Sequence, residues 1–137
     1  MARRMRLGVG ALAAVLILLA SHAWGAEVKT FIGGAAISEE IGGSLDTTDR
    51  FELTLTPFKD YALLLVGFGR GDLDAKVTTS TGEVLAVGDS IFDVEVLTFR
   101  PPDSKVYLEV RVADGYDSSS EYVIVILGPI ANVRQLT

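Results

Sequence analysis

The sequence predicts an all-β fold, a small antiparallel β-sandwich of the jelly-roll or immunoglobulin-like kind with about seven to nine strands, preceded by a signal peptide. Apolar and polar residues alternate with period two through much of the chain, as in half-buried strands. Clusters of Asp, Gly, Pro and Ser separate these segments at intervals of about ten residues. No 3.6-residue period persists beyond the leader, so we expect no helices there.

Two segments show why strands are predicted. Phe51, Leu53 and Leu55 share one face of a strand, while the polar residues between them take the other face. Tyr61 to Val66 is a nearly continuous apolar run, which is typical of a central strand covered on both sides. Two packed layers are therefore expected to bury a common set of apolar side chains: Phe51, Leu53, Leu63, Leu65, Val77, Val94, Val110 and Ile124.

A later strand carries apolar residues on both of its faces. Val94, Val96 and Thr98 fall on one face, and Glu95 lies on the other face with Leu97 and Phe99. We expect the Val94 face to point into the core and Glu95 to be a solvated surface carboxylate.

The first residues have the order of a secretory signal peptide. Three arginines precede an uncharged apolar run from Leu7 to Ala20, and small residues follow that run. The run is shorter than the roughly 20 apolar residues that span a bilayer, and the alternative reading is an uncleaved membrane anchor. Cleavage after Ala23 and cleavage after Gly25 both satisfy the preference for small residues.

These features divide the chain into three parts. We expect a signal peptide at residues 1–26, a lead-in segment or edge strand at 27–40, and the β-sandwich domain at 41–137. After signal cleavage no membrane insertion is expected, so the mature domain is predicted to be periplasmic or secreted.

The charge of the chain argues against one class of partner. The chain has 12 Lys and Arg against 18 Asp and Glu, a net charge of −6. Removing residues 1–26 takes away three arginines and no acidic residue, which leaves nine basic and 18 acidic residues, a net charge of −9. Because an acidic surface repels a phosphate backbone, we do not expect nucleic acid as a partner.

The mature chain lacks the side chains of the common nucleophilic hydrolases. It has no cysteine, and its single histidine, His22, lies in the leader. Ser-His-Asp and Cys-His catalysis and histidine-containing zinc sites are therefore excluded, and no disulfide can hold the fold together. We expect that the protein is not an enzyme.

Several short motifs occur in a fixed order along the predicted sandwich. They are Ile41-Gly42-Gly43-Ser44-Leu45, Asp49-Arg50-Phe51-Glu52-Leu53, Gly71-Asp72-Leu73-Asp74, Tyr107-Leu108-Glu109-Val110 and Tyr116-Asp117-Ser118-Ser119-Ser120-Glu121-Tyr122. Their order and spacing resemble the bacterial pre-peptidase C-terminal domain, a small β-sandwich usually appended to secreted proteases and other exported proteins. The resemblance implies a non-catalytic role in binding or secretion, and some members of that family bind calcium.

Asp72 and Asp74 are the predicted metal ligands. Lying two residues apart at the start of a strand, they point to the same side, so both carboxylates can approach one hard cation such as calcium. Calcium takes about six to eight oxygens, so further ligands are needed. Candidates elsewhere in the sequence are Asp89, Asp93, Asp114 and Asp117. The alternative is that both aspartates cap turns and bind backbone amides.

Tyr107 and Tyr116 are the predicted ligand-binding aromatic residues, because tyrosine rings stack on sugars and at protein interfaces. The alternative is that these rings pack at sheet edges with their hydroxyl groups satisfied.

Taken together, these features predict an exported, non-catalytic binding module for a protein or polysaccharide at the cell envelope or outside the cell, assisted by calcium. An exposed aromatic strip would favour a polysaccharide, whereas an exposed apolar patch or an open edge strand would favour a protein. The alternative is an accessory or structural subunit that stabilises a separately encoded exported enzyme. A hydrolase working through paired carboxylates is a third hypothesis. The sequence leaves the oligomeric state open.

Overall fold

The computed structural model describes residues 25–41, 47–68, 72–89, 94–113 and 120–136. Within these ranges ten strands form two five-stranded antiparallel sheets, which confirms the predicted β-sandwich. The strands in chain order are β1 (Glu27–Phe31), β2 (Gly34–Ile41), β3 (Thr48–Leu55), β4 (Tyr61–Gly67), β5 (Leu73–Thr79), β6 (Val84–Gly88), β7 (Val94–Phe99), β8 (Lys105–Val112), β9 (Ser120–Leu127) and β10 (Ile130–Leu136).

The chain passes repeatedly between the two sheets. Sheet A has the order β1-β2-β9-β4-β7, and sheet B has the order β10-β3-β8-β5-β6. Strands β2 and β10 approach each other on one side of the sandwich, and the edge strands β6 and β7 approach each other on the opposite side. Segment 27–40 supplies β1 at the edge of sheet A and most of β2, which lies inside that sheet.

Side chains from both sheets meet in one apolar core. Strands β4, β5 and β8 bury every second residue, which is the alternation that the sequence predicts. Full burial of one Leu, Val or Phe side chain contributes about 1.5–3 kcal/mol. Most of the predicted core is confirmed, and its buried members are Phe51, Leu53, Leu63, Leu65, Val77, Val110 and Ile124.

The prediction that Val94 belongs to the core is wrong. Val94 is 48% exposed, and Leu97 and Phe99, on the opposite face of β7, point into the sandwich. Leu and Phe bury more apolar surface than Val and Thr, and the Phe99 ring stacks on Tyr61 with ring centroids 5.6 Å apart. Because side chains alternate along a strand, Glu95 is carried to the inner side with Leu97 and Phe99, where it is buried.

Polar side chains join the two sheets on the β2–β10 side. The buried Tyr122 hydroxyl on β9 donates to Asp49 Oδ2 on β3 at 2.7 Å. Gln135 Nε2 on β10 donates to Glu39 Oε2 on β2 at 2.8 Å, and Gln135 Oε1 accepts a hydrogen bond from Ala26 N at 3.0 Å. Hydrogen bonds therefore fix this side of the sandwich in addition to apolar burial.

A tyrosine holds the turn between β9 and β10. Tyr61 Oη accepts a hydrogen bond from Thr56 N at 2.8 Å and donates to Pro129 O. Gly128 lies against the Tyr61 ring with φ of 141°, and a Cβ at that position would overlap the ring. Glycine is therefore required here both by the backbone conformation and by the close approach.

The leader predicted at residues 1–26 falls almost entirely outside the described residues, which begin at residue 25. No helix in the described ranges has the length and apolar character needed to cross a membrane. Export and signal cleavage therefore stay predictions.

The two glycines Gly128 and Gly82 test the role of the Tyr61 contact. Both have positive φ, but a Cβ at Gly82 would meet no atom within 4 Å. Gly82→Ala is expected to cost only the backbone strain, about 1–3 kcal/mol. Gly128→Ala is expected to lose about 1–3 kcal/mol more free energy of unfolding, because its Cβ would also be overpacked against the Tyr61 ring. Urea unfolding of both variants measures the difference, and equal losses would contradict the packing role.

Candidate functional site

Three carboxylates come together beside the β6–β7 side of the sandwich. One carboxylate oxygen from each of Asp72, Asp74 and Glu95 lies within 4.8 Å of the other two. We call these three residues the acidic cluster. The structure thus brings together the two aspartates predicted as metal ligands and adds a glutamate that the sequence placed on the surface.

Backbone pairing and one glycine position the acidic cluster. Asp72 directly precedes β5, and its carbonyl oxygen accepts a hydrogen bond from Ala113 N at 2.8 Å, which fixes it beside the end of β8. Glu95 points inward from β7 past Gly88, the last residue of β6. A Cβ at Gly88 would lie 2.9 Å from Glu95 Oε2, so the absence of a side chain there makes room for the glutamate.

The acidic cluster is electrostatically unfavourable when it is fully ionised. Burial raises the pKa of the Asp74 carboxyl above its ordinary range, and the negative charges of Asp72, Glu95 and Asp89 act in the same direction. Arg111 opposes them, with its Nη2 3.9 Å from Asp74 Oδ2. Within the described residues, the buried Asp74 Oδ1 accepts no hydrogen bond. A divalent cation would supply the missing positive charge.

Of the further ligands predicted from the sequence, only Asp89 lies in the described ranges. It is close enough to Asp74 to influence its pKa, and both line a groove of about 150 Å³ beside the acidic cluster. Lys76 and Arg111 line the same groove, so its charge is mixed. The other candidates, Asp93, Asp114 and Asp117, lie outside the described residues.

Of the two tyrosines predicted to bind a ligand, the structure describes only Tyr107. Tyr107 lies on the outer face of sheet B, half-buried, and its hydroxyl donates to Glu52 Oε2 at 3.5 Å. Glu52 also forms two ion pairs. Lys105 Nζ lies 3.8 Å from Glu52 Oε1, and Arg134 Nη2 lies 3.1 Å from Glu52 Oε2. Tyr107 is thus part of a charged sheet surface. Tyr116 lies outside the described residues.

The outer face of sheet B carries ion pairs on β3, β5, β8 and β10, and its edge strand β6 exposes Val84 and Val87. Arg50 on β3 pairs with Glu109 on β8 at 3.4 Å, which adds to the ion pairs around Glu52 and to the contact of Arg111 with Asp74. Such pairs on exposed strands contribute little stability individually, but they keep this face well solvated.

The outer face of sheet A is apolar at the β4–β7 end. The pairing of β4 with β7 places Ala62 beside Thr98, Leu64 beside Val96 and Val66 beside Val94. We call these six residues the apolar strip. None of the six is charged. The two outer faces of the sandwich are therefore chemically different.

Exposure of the sheet A outer face increases toward β7. Val123 and Val125 on β9 are buried, whereas Leu64 and Val66 on β4 are half-buried. Val96 on β7 is 67% exposed. Apart from the exposed Lys29 on β1 and Glu121 at the start of β9, the accessible part of this face is therefore the apolar strip.

A groove and an aromatic ring lie at opposite ends of the apolar strip. The groove, of about 690 Å³, is bordered by Arg100, whose Nε donates to Asp60 Oδ1 at 2.9 Å. At the other end Phe68, 51% exposed, follows β4. The groove is lined by Asp60, Tyr61, Ala62, Thr98, Phe99, Arg100, Leu127 and Gly128.

The edges of the sandwich also differ in charge. β1 carries Glu27 and Lys29, and β10 carries Arg134. β6 has no charged residue, and the only charged residue of β7 is the inward-pointing Glu95. Charged residues on edge strands discourage pairing with other chains, so the β6–β7 side is the less protected one.

Comparisons with protein-family models and with curated proteins do not identify a relative. No protein-family model matches the chain, and no curated protein matches it. The resemblance to the pre-peptidase C-terminal domain stays a prediction from the sequence.

Sequence reasoning missed Glu95 and the apolar strip for one shared reason. Both depend on the orientation of β7, which the sequence analysis predicted wrongly because both faces of this strand carry apolar residues. The size of Leu97 and Phe99 was the available signal, since large side chains gain most from burial.

Replacing Asp74 by Asn tests the electrostatics of the acidic cluster. Because the pKa of Asp74 is raised, the folded state holds the Asp74 proton more tightly than the unfolded chain does. The stabilisation that this proton contributes is complete below about pH 4 and is lost as the pH rises through the raised pKa. In EDTA, Asp74→Asn is therefore expected to gain stability relative to the parent as the pH rises from about 4 to 7. Urea unfolding at several pH values measures this gain.

The control for that experiment is Asp103→Asn, which removes a negative charge from the exposed turn between β7 and β8. This control corrects for the general effect on stability of removing one negative charge from an acidic chain. A difference between Asp74→Asn and the parent that stays constant with pH would contradict the raised pKa of Asp74.

Proposed function

We propose that this chain is an exported, non-catalytic binding module that docks a partner protein on the apolar strip, in the periplasm or outside the cell. The observation that carries the proposal is the contrast between the two outer faces. The apolar strip exposes Val94 and Val96, whereas β3, β8 and β10 on the outer face of sheet B carry ion pairs. Exposed apolar patches bordered by polar residues are typical of protein-binding surfaces.

The unprotected edge supports the same proposal. β7 is an edge strand of sheet A, so the backbone groups on its outer side have no sheet partner among the described strands. A partner strand that pairs with β7 would extend sheet A and cover Val94 and Val96 at the same time.

A polysaccharide is the less favoured ligand. Sugar binding generally uses a strip of exposed aromatic rings. Tyr107 is half-buried and its hydroxyl binds Glu52, and Phe68 is a single exposed ring at the end of an aliphatic surface. The accessory-subunit hypothesis would use the same apolar strip, with the exported enzyme as the partner protein. A non-enzymatic role is kept in the proposal because the mature chain has neither histidine nor cysteine.

We also propose that a hard divalent cation such as calcium binds at the acidic cluster. Its three carboxylates converge within 4.8 Å, and the pKa of Asp74 is raised by burial and then by neighbouring negative charge, which a cation would neutralise. Because Glu95 belongs to β7, a bound cation would also hold the strand that presents Val94 and Val96.

Site-specific photo-crosslinking tests the docking surface. The full chain is expressed in an exporting bacterial host with a photoreactive benzophenone amino acid at position 96 or at position 87. Val87 is the matched control, because it is 52% exposed on sheet B, outside the apolar strip. We expect protein adducts from position 96 in clear excess over position 87. Equal yields, or no adduct from position 96, would contradict the proposal.

Thermal unfolding of the processed chain tests the cation. Calcium at about 100 times its dissociation constant should stabilise the chain by about 2.7 kcal/mol, a shift of at least several degrees relative to EDTA. The shift should disappear when Asp72 and Asp74 are both replaced by Asn and should persist in Asp103→Asn. No shift in the parent, or a shift that survives the double replacement, argues that the aspartates are turn residues.

A further inference from the structure

We infer that the leader is cut after Gly25, and that the new α-ammonium group of Ala26 is held by Gln135 beside the buried carboxylate of Glu39. This inference rests on the export part of the proposed function, because it concerns where the leader is removed. It does not depend on the apolar strip or on the acidic cluster. The leader is then one residue shorter than the predicted range 1–26.

The folded part of the chain begins at Ala26. Gly25 is exposed, whereas Ala26 is half-buried and packs against the apolar core. Ala26 N donates to Gln135 Oε1 on β10 at 3.0 Å, and β1 begins at the next residue. The Gly25–Ala26 peptide bond is therefore the boundary between exposed chain and sandwich.

The possible cuts differ in what they leave at this boundary. A cut after Ala23 leaves Trp24 and Gly25 attached, so Ala26 N stays a peptide N–H. A cut after Ala26 puts the bulky Trp24 at a position that favours small residues, and it removes a residue that packs against the core. Hydrolysis of the Gly25–Ala26 bond consumes one water and leaves a carboxylate on Gly25 and an ammonium group on Ala26. That ammonium group forms where a hydrogen-bond acceptor is already in place.

The pairing of β1 with β2 brings Ala26 next to Glu39. Val28 on β1 lies opposite Ile37 on β2, and both pack in the core. Because side chains alternate along a strand, continuation of this register places Ala26 opposite Glu39 on the same inner face. The new terminus therefore lies beside a carboxylate that is only 6% exposed.

Among the described residues, the Glu39 carboxylate has hydrogen bonds but no positively charged partner. Its Oε2 accepts from Gln135 Nε2 at 2.8 Å, and its Oε1 accepts from Glu40 N at 2.9 Å. None of the ion pairs in the described ranges includes Glu39. Buried charges are generally paired, and the Gln135 amide connects this carboxylate to Ala26 N. An ammonium group at Ala26 supplies the opposite charge.

The intact mass of the chain exported by a bacterial host identifies the cut. Trp24 is the only tryptophan, so a product that begins at Ala26 also lacks tryptophan absorbance. Ser21→Leu impairs only the cut after Ala23 and should leave the product unchanged. Gly25→Leu impairs the cut after Gly25 and should abolish the product that begins at Ala26.

Acetylation by an N-hydroxysuccinimide ester at neutral pH measures how well the new amine is held, with the exposed Lys59 as internal reference. Peptide mass spectrometry follows both sites. Gln135→Ala and Glu39→Gln should each raise the acetylation rate of Ala26 at least about threefold, the effect of losing roughly one hydrogen bond. Glu40→Gln, which removes an exposed negative charge from the neighbouring residue, should leave the rate unchanged.

The outcomes separate the possible failures. A product that begins at Trp24 or Glu27 overturns the cut after Gly25 and keeps export. A full-length product overturns both this inference and the export part of the proposed function. A product that begins at Ala26, but whose amine reacts equally fast in the parent, Gln135→Ala and Glu39→Gln, overturns the capture of the ammonium group.

Discussion

The structure depends on the apolar character of both faces of sheet A. The residues of β4 from Tyr61 to Val66 are apolar on both faces of the strand. The inner face packs on sheet B, whereas the outer face can be buried only by contact with something other than sheet B. Sheet B does not have this property, since its outer face carries paired charges. The two sheets share one core, but among the described strands only sheet A has two paired strands with an uncharged outer surface, and such a surface gains free energy from contact with another molecule.

The orientation of β7 connects this surface to the acidic cluster. When Leu97 and Phe99 turn inward, Val94 and Val96 are placed outside, and Glu95 is brought beside Asp72 and Asp74. The stacking of Phe99 on Tyr61 and the space left by Gly88 hold this orientation. The two proposed binding sites are therefore consequences of one packing choice, and a cation on the inner side of β7 would stabilise the surface on its outer side.

The sequence predicted what depends on local alternation and did not predict what depends on competition between two similar faces. Strands such as β3, with Phe51 and Leu53 on one face and polar residues on the other, have one reasonable orientation. β7 has two reasonable orientations, and the sequence analysis predicted Val94 on the wrong face of the strand. The pair Asp72 and Asp74 was predicted from spacing, whereas Glu95 joins it through tertiary packing 21 positions further along the chain than Asp74, which spacing does not reveal.

The central claim is that the apolar strip is exposed for a partner and is not covered by the chain itself. The free energy of unfolding of Val96→Lys in dilute protein, where association is negligible, tests this claim most directly. The account predicts a loss below about 1 kcal/mol, since an exposed strand position changes stability by no more than its β-propensity. A loss above about 3 kcal/mol would mean that Val96 is buried by the chain's own residues, and would contradict the account.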